Sequence, residues 1–385
     1  MIKETLDKIR PHFEKGGKLS ALRSVFEGME TFLLVPATTS RSGCSIHDAI
    51  DSKRIMSFVV IALLPALLTG MYNIGCQNYA AAGAEGTFVE MFLYGLAVMM
   101  PKIVVSYLVG LGIEFFVAQK KNEEIQEGYL VSGLLIPMIV PVGCPLWMLA
   151  LAVAFSVIFV KEIYGGTGMN IFNPALAARA FLFFAYPGKM SGESVWVADG
   201  KLFGLGNSLP DGFTMATPLG EAAAGQTVPM DFSFVSGLMP GSIGETSVVA
   251  IAIGAAILLW TRIASWKIMS SVFVGGALVG FLFNISGLDT PIAQMPWYEH
   301  LMLGGFCFGA VFMATDPVTS ARTEGGKYIY GFLIGALAIA IRVLNPGFPE
   351  GMMLAILFMN MFAPLIDYCF VQRNIGRRAK RAQTK

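Results

Sequence analysis

The chain is short of charge and of metal-binding side chains. Of its 385 residues only 14% are Asp, Glu, Lys or Arg and 55% are hydrophobic, whereas soluble domains carry about 25% charge. That shortage excludes a water-soluble globular fold. The five cysteines (Cys44, Cys76, Cys144, Cys307, Cys369) are scattered, with no CxxC and no close pair. This excludes an iron–sulfur cluster or a zinc site held by this chain alone. The three histidines, His12, His47 and His300, are too few and too dispersed for a haem pair or a metal cage. No Walker loop is present, since Gly165–Gly166–Thr167–Gly168 lacks both the lysine and the spacing. A net charge of +1 without a basic arm gives nucleic acid no purchase. The first 50 or so residues are polar and charged, so no cleavable signal peptide is expected.

What is abundant is apolar sequence in runs approaching the roughly 20 residues that cross a bilayer. The expected fold is an all-α polytopic membrane protein of about ten transmembrane helices, some broken or half-length. Spans are expected near 55–72, 89–117, 129–142, 146–160, 174–186, 246–261, 268–285, 300–314, 328–343 and 351–367. Pro101–Lys102 is read as interrupting the second, and Pro137 and Pro141 as breaking the third. The chain divides into a cytoplasmic N-terminal segment (1–53, with surface helices over 1–13 and 24–34), a first membrane half (54–187), an outer loop (188–243), a second membrane half (244–370) and a basic tail (371–385). Of the Lys and Arg residues, only Lys189 and Lys201 fall in outer loops if both termini are cytoplasmic. The positive-inside rule therefore selects that topology and puts the 188–243 loop on the outer face. The echo between Asn173-Pro174-Ala175-Leu176-Ala177-Ala178-Arg179 and Asp316-Pro317-Val318-Thr319-Ser320-Ala321-Arg322 raises the alternative of two inverted five-helix repeats, although this topology puts both copies near the inner face.

Three regions could carry chemistry. Asp211-Gly212-Phe213-Thr214-Met215-Ala216-Thr217-Pro218-Leu219 reads locally as an Asp-Gly turn into a short helix, with Thr217 as N-cap and Pro218 at the first helical position. Residues 161–187 hold Gly165, Gly166 and Gly168, which allow close backbone approach, then Asn170 and Asn173, whose amides suit the polar edge of a ring system, then Arg179 inside an apolar run. A charge at such depth needs a partner or an anion, so a glycine-rich break capped by the asparagines, with Arg179 paired to a carboxylate, is an equally good reading. Glu114, Asp316 and Asp367 lie in or beside apolar spans. Each is a hard oxygen ligand for an alkali cation, or half of an ion pair (Asp316 with Arg322, for instance).

The nonapeptide resembles the Asp-Gly-x-Ser/Thr-x-Ala-Thr-x-Leu signature at which FMN is joined to threonine through a phosphoester. That signature marks the family formed by the B subunit of the sodium-pumping NADH:quinone oxidoreductase and the D subunit of the Rnf complex. Thr214 stands where serine is common, and Met215 where glycine is common. Residues 161–187 resemble the same family, and the likeness runs from the N-terminus to Asp367. It implies a bacterial inner-membrane, multi-pass component of a translocase, the sodium-transporting NADH:ubiquinone reductase. Electrons would pass from covalent FMN on Thr217, within the signature that also holds Asp211 and Thr214, to noncovalent riboflavin at Asn170 and Asn173, with Arg179 of the same segment a further cofactor-binding candidate, and on to quinone near Gly110, Gly112 and Glu114. Gly110 matches the family's glycine, and Leu111 stands where a second glycine is usual. Sodium would pass by Glu114, Asp316 and Asp367. The implied partners are an FMN-bearing C subunit, the membrane-embedded D and E subunits, an NADH-oxidising F subunit and the A subunit, with quinone, sodium and lipid. Two alternatives stand: an Rnf-type D subunit serving ferredoxin and NAD, and a non-redox secondary transporter or channel. The long charged N-terminus favours the quinone reductase.

Overall fold

The computed structural model describes residues 52–121, 128–192, 195–210, 215–226, 228, 231–345 and 347–383, with residues 6, 8–13, 26, 30, 34 and 43 of the N-terminal region. The surface helices expected over 1–13 and 24–34 lie mostly outside the described residues; a single 3-10 turn, Arg10–His12, is seen. Among the described residues there are fifteen α-helices. The first half contributes α1 (Ser52–Ala81), α2 (Phe88–Lys121), α3 (Tyr129–Ile139), α4 (Leu146–Phe155), α5 (Pro174–Ala185) and the short α6 (Pro187–Met190). The long loop holds α7 (Pro218–Ala223) and α8 (Ser233–Ser236). The second half contributes α9 (Val248–Trp260), α10 (Trp266–Ile285), α11 (Pro291–Gln294), α12 (Trp297–Met302), α13 (Phe306–Phe308), α14 (Glu324–Leu344) and α15 (Met352–Gln383).

Six helical runs are long and apolar enough to cross a membrane: α1, α2, α4 with its extension to Tyr164, α10, α14 and α15. Three apolar helices are shorter, α3, α5 and α9. With the interrupted run 297–313 they account for the expected set of spans, half-helices included. The breaks have local causes. Pro137 sits in the last turn of α3 and the chain turns extended at Val140, as the proline pattern predicts. α4 widens into a π-helical turn, Ser156–Lys161, before it ends. α13 runs into a second π-turn, Gly309–Met313.

The expected interruption at Pro101–Lys102 does not occur. α2 continues through Pro101 as a helix of 34 residues. Lys102 is buried there, and its ammonium donates to the carbonyls of Pro141, at 3.0 Å, and Val142. These carbonyls follow the end of α3, where helical carbonyls lack partners and a cation is favoured. Lys102 therefore ties α2 to the turn that follows α3. α1 and α2 approach closely because glycine faces backbone at both contacts. A Cβ on Gly95 would strike the backbone of Met71, and one on Gly75 the backbone of Met91. Small residues at such crossings replace the hydrophobic drive that lipid cannot supply.

Candidate functional site

Thr217 caps α7, its Oγ1 accepting the Gly220 N–H at 3.0 Å, with Pro218 in the first turn. The cap and the first-turn proline of the local reading are therefore correct, while its Asp-Gly turn lies outside the described residues. Asp211 and Thr214 lie outside the described residues. Thr217 also stands in the wall of a cavity of about 740 Å3, within the roughly 300–1,000 Å3 of ligand pockets. Phe183, Met190, Trp196, Met215, Met239 and Phe348 supply apolar walls. The rings of Phe183 and Phe348 meet edge to face, centroids 4.5 Å apart. The polar floor is Arg179, Ser242, Glu245 and Glu350.

Arg179 is buried on α5 and pairs with two carboxylates. Nη1 donates to Glu245 Oε1 at 2.7 Å and Nη2 donates to Glu350. The partner required by a charge in an apolar run is thus present twice. Arg342, fully buried on α14, completes the surroundings. Its guanidinium donates to the carbonyls of Pro349 at 3.0 Å, Leu303 at 3.1 Å, and His300. Gly304 (φ 63°) lies between Arg342 and Leu219 of α7, so that a Cβ there would sit 3.1 Å from the leucine and 3.3 Å from Arg342. The Thr217 segment is thereby seated on the same charged floor.

A second, narrower cavity of about 90 Å3 holds Asn170, Asn173 and Asp316, with Lys161, Thr315 and Ser132 around them. Gly165, Gly166 and Gly168, all at positive φ, form the turn that brings the asparagines back against the helices. Asn170 closes that turn, donating to Phe172 O at 2.9 Å. Asn173 caps α5, accepting from Ala175 N and Leu176 N. Its amide nitrogen donates to Asp316 at 3.4 Å. The two echoed motifs therefore meet at Asn173 and Asp316. Asp316 accepts further bonds from Val318 N at 3.1 Å and Thr319 Oγ1 at 3.0 Å. Among the described residues it has no basic partner, and the expected pairing with Arg322 is not formed. The backbone N–H of Arg322 instead donates to Asp367 at 2.8 Å.

Glu114 is buried on α2 and pairs with the buried Lys161. Its Oε2 has no hydrogen-bond partner among the described residues. Gly110 lies one turn away, and a Cβ there would collide with the ring of Tyr129, whose hydroxyl donates to Ser106 O at 3.0 Å. Gly112 faces open space. Lys161 connects Glu114 to the narrow cavity, whereas Asp367 stands apart, half-buried, holding the N–H groups of Arg322 and Thr323. The two cavities adjoin across α5: Asn173 lies in one and Arg179 in the other, six residues or about 9 Å along the helix.

A flavin fits the wide cavity by volume, by its aromatic walls and by the hydroxyl at its edge. The narrow cavity is much smaller, and there the amides of Asn170 and Asn173 donate to Phe172 O and to Asp316. Glu245 and Glu350 are not singled out by the sequence. The signal available is Arg179 itself, which demands a carboxylate, and both glutamates stand beside glycine at loop ends.

Comparison with known proteins gives one consistent result. A family described as "NQR2, RnfD, RnfE family" matches residues 39–376. The B subunit of the Na(+)-translocating NADH-quinone reductase of Chromohalobacter salexigens is 46% identical, covering 99% of this chain and 96% of the relative. The proteins of that name from Azotobacter vinelandii and Klebsiella pneumoniae are 43% and 42% identical, covering 99% of both partners in each comparison.

Proposed function

The chain belongs to the NQR2, RnfD, RnfE family, and from that premise we propose that it is the B subunit of a bacterial sodium-translocating NADH-quinone reductase, carrying FMN on Thr217. The observation that carries the proposal is the position of Thr217 at the edge of a cavity of about 740 Å3 with aromatic walls and a charged floor. The names of relatives matched along their full length favour the quinone reductase over the Rnf-type D subunit and over a transporter without cofactors.

Bound there, FMN supplies electron storage, and the protein supplies position, electrostatics and access. Thr217 acts only as the tether, through a phosphoester to its oxygen. Phe183, Phe348 and Trp196 exclude water from the ring. Arg179, Glu245 and Glu350 fix the charge beneath it. The narrow cavity is the proposed sodium seat, with Asp316 as anionic ligand, Thr315 and Thr319 as hydroxyl ligands, and Asn173 within reach. Glu114 lies beside it through Lys161, and Asp367 stands near the α14 start. The small volume beside Asn170 and Asn173 favours a cation there over the riboflavin that the family resemblance implies. Gly110, through Tyr129, shapes the surface near Glu114 proposed for quinone.

Charge supports the orientation. The narrow cavity opens among the loops rich in Lys and Arg, at the N-terminal end of α1 and the turn after α9, so it is the cytoplasmic one. The wide cavity then faces outward, within reach of a second FMN-bearing protein of the complex. The remaining partners are the NADH-oxidising component and the other membrane components of the complex, in the inner membrane.

The test is direct. Denatured wild-type protein, expressed with flavin transferase, gives a fluorescent band under ultraviolet light, and Thr217→Ala removes it. A dark wild-type band would overturn the tether.

A further inference from the structure

The wide cavity holds more fixed charge than a tether requires. Arg179, Glu245 and Glu350 come from three separate segments: α5, the loop before α9 and the loop between α14 and α15. The side chains of Arg179 and Glu245 are each 6% exposed, and that of Glu350 is 22% exposed. Ser242 Oγ, 3.4 Å from Arg179 Nη2, completes the ring of partners. Arg179 faces two carboxylates and Arg342 lies within electrostatic reach of Glu350, so the cavity wall holds fixed charges of both signs. The nearby Arg342 is held by backbone carbonyls and does not take either carboxylate away from Arg179.

We propose that Glu245 and Glu350 are positioning residues that fix the Arg179 guanidinium at the cavity wall, and that the charge of this cluster sets the redox potential of the cofactor tethered at Thr217. This rests on the tether reading above. Reduction adds negative charge to a flavin ring. In a site of low effective dielectric, fixed charges a few ångströms away act strongly on that change. The two carboxylates oppose reduction and Arg179 favours it. The signs therefore follow: neutralising a carboxylate raises the potential, and neutralising the arginine lowers it. A purely structural clamp gives no such opposition of sign, because loosening it from either side has the same effect.

The experiment is a dithionite titration of the purified complex, following the absorbance of the tethered flavin, after in-gel fluorescence has shown that the flavin is attached. Glu350→Gln, the more exposed partner, is expected to raise the reduced-to-oxidised ratio at fixed ambient potential about tenfold, about 30 mV for a two-electron couple. Arg179→Gln is expected to move it the opposite way, and Arg179→Lys to stay near the parent. If Arg179→Gln does not assemble, Glu350→Gln and Glu245→Gln decide: both must shift upward. Parent-like titrations with flavin attached overturn the proposal, as do shifts of one sign for carboxylate and arginine variants alike. A parent band without fluorescence is a different failure, that of the tether, and is seen before any variant is made.

Discussion

The two cavities flanking α5 differ in every property that selects a ligand. The wide one, about 740 Å3, has aromatic walls, and its buried charges are already paired. The narrow one, about 90 Å3, contains the half-buried carboxylate of Asp316, which among the described residues accepts only from neutral donors. A planar ring needs volume and apolar faces, which the wide cavity offers, and a bare alkali cation would find no free carboxylate there. Asp316 has no counter-charge among the described residues, so in the proposed reading a small cation completes the narrow cavity, the smaller of the two. One half-helix places its cap, Asn173, in the narrow cavity and its interior Arg179 in the wall of the wide one, less than two turns apart.

Three sets of substitutions sharpen this contrast. The largest effect on sodium-dependent activity is expected at Asp316. Asp316→Asn in the assembled complex should raise the sodium concentration for half-maximal quinone reductase activity more than about tenfold, the loss of about 1.4 kcal/mol or more of ion binding. The Thr217 fluorescence should be unchanged. A parent-like sodium titration would remove the narrow cavity from the ion path. Next comes the Glu114–Lys161 pair. Lys161→Met leaves a buried carboxylate without its base, a loss on the order of 3–5 kcal/mol, visible as a lower melting temperature of the solubilised complex. Adding Glu114→Gln should restore most of it, and a double variant as unstable as the single one would show that the pair is not the source. The smallest effect separates two glycines of α2. Gly110→Ala drives a methyl into the Tyr129 ring and should lose about 1–3 kcal/mol, while Gly112→Ala, facing open space, should stay within about 0.5 kcal/mol. A raised KM for quinone in Gly112→Ala at unchanged melting temperature would make Gly112 a quinone contact; an unchanged KM would leave Gly110 and Glu114 to define that surface.

Local features are legible in the sequence. Thr217-Pro218 and Asn173-Pro174 announce helix starts because a cap needs only its next three residues, and both caps form. Pro137 marks the short third helix for the same reason. Lys102 is not legible, because its partners, the carbonyls at 141 and 142, lie some 40 residues on, and proline in a membrane helix need not break it when the neighbours repair the loss. The carboxylate partners of Arg179 are implied in kind but not in position. Glu245 and Glu350 are 66 and 171 residues away, and only the packing of three segments brings them together. The meeting of Asn173 with Asp316 is foreshadowed by their shared motif, yet a likeness of sequence does not state a distance.

The central claim is that a redox cofactor hangs from Thr217 into the wide cavity. Mass spectrometry of the peptide containing Thr217, taken from the mature, active complex, tests it most directly. The account predicts a peptide heavier by FMN less one water, with fragmentation placing the addition on Thr217. A peptide of unmodified mass in a complex that still reduces quinone would contradict it.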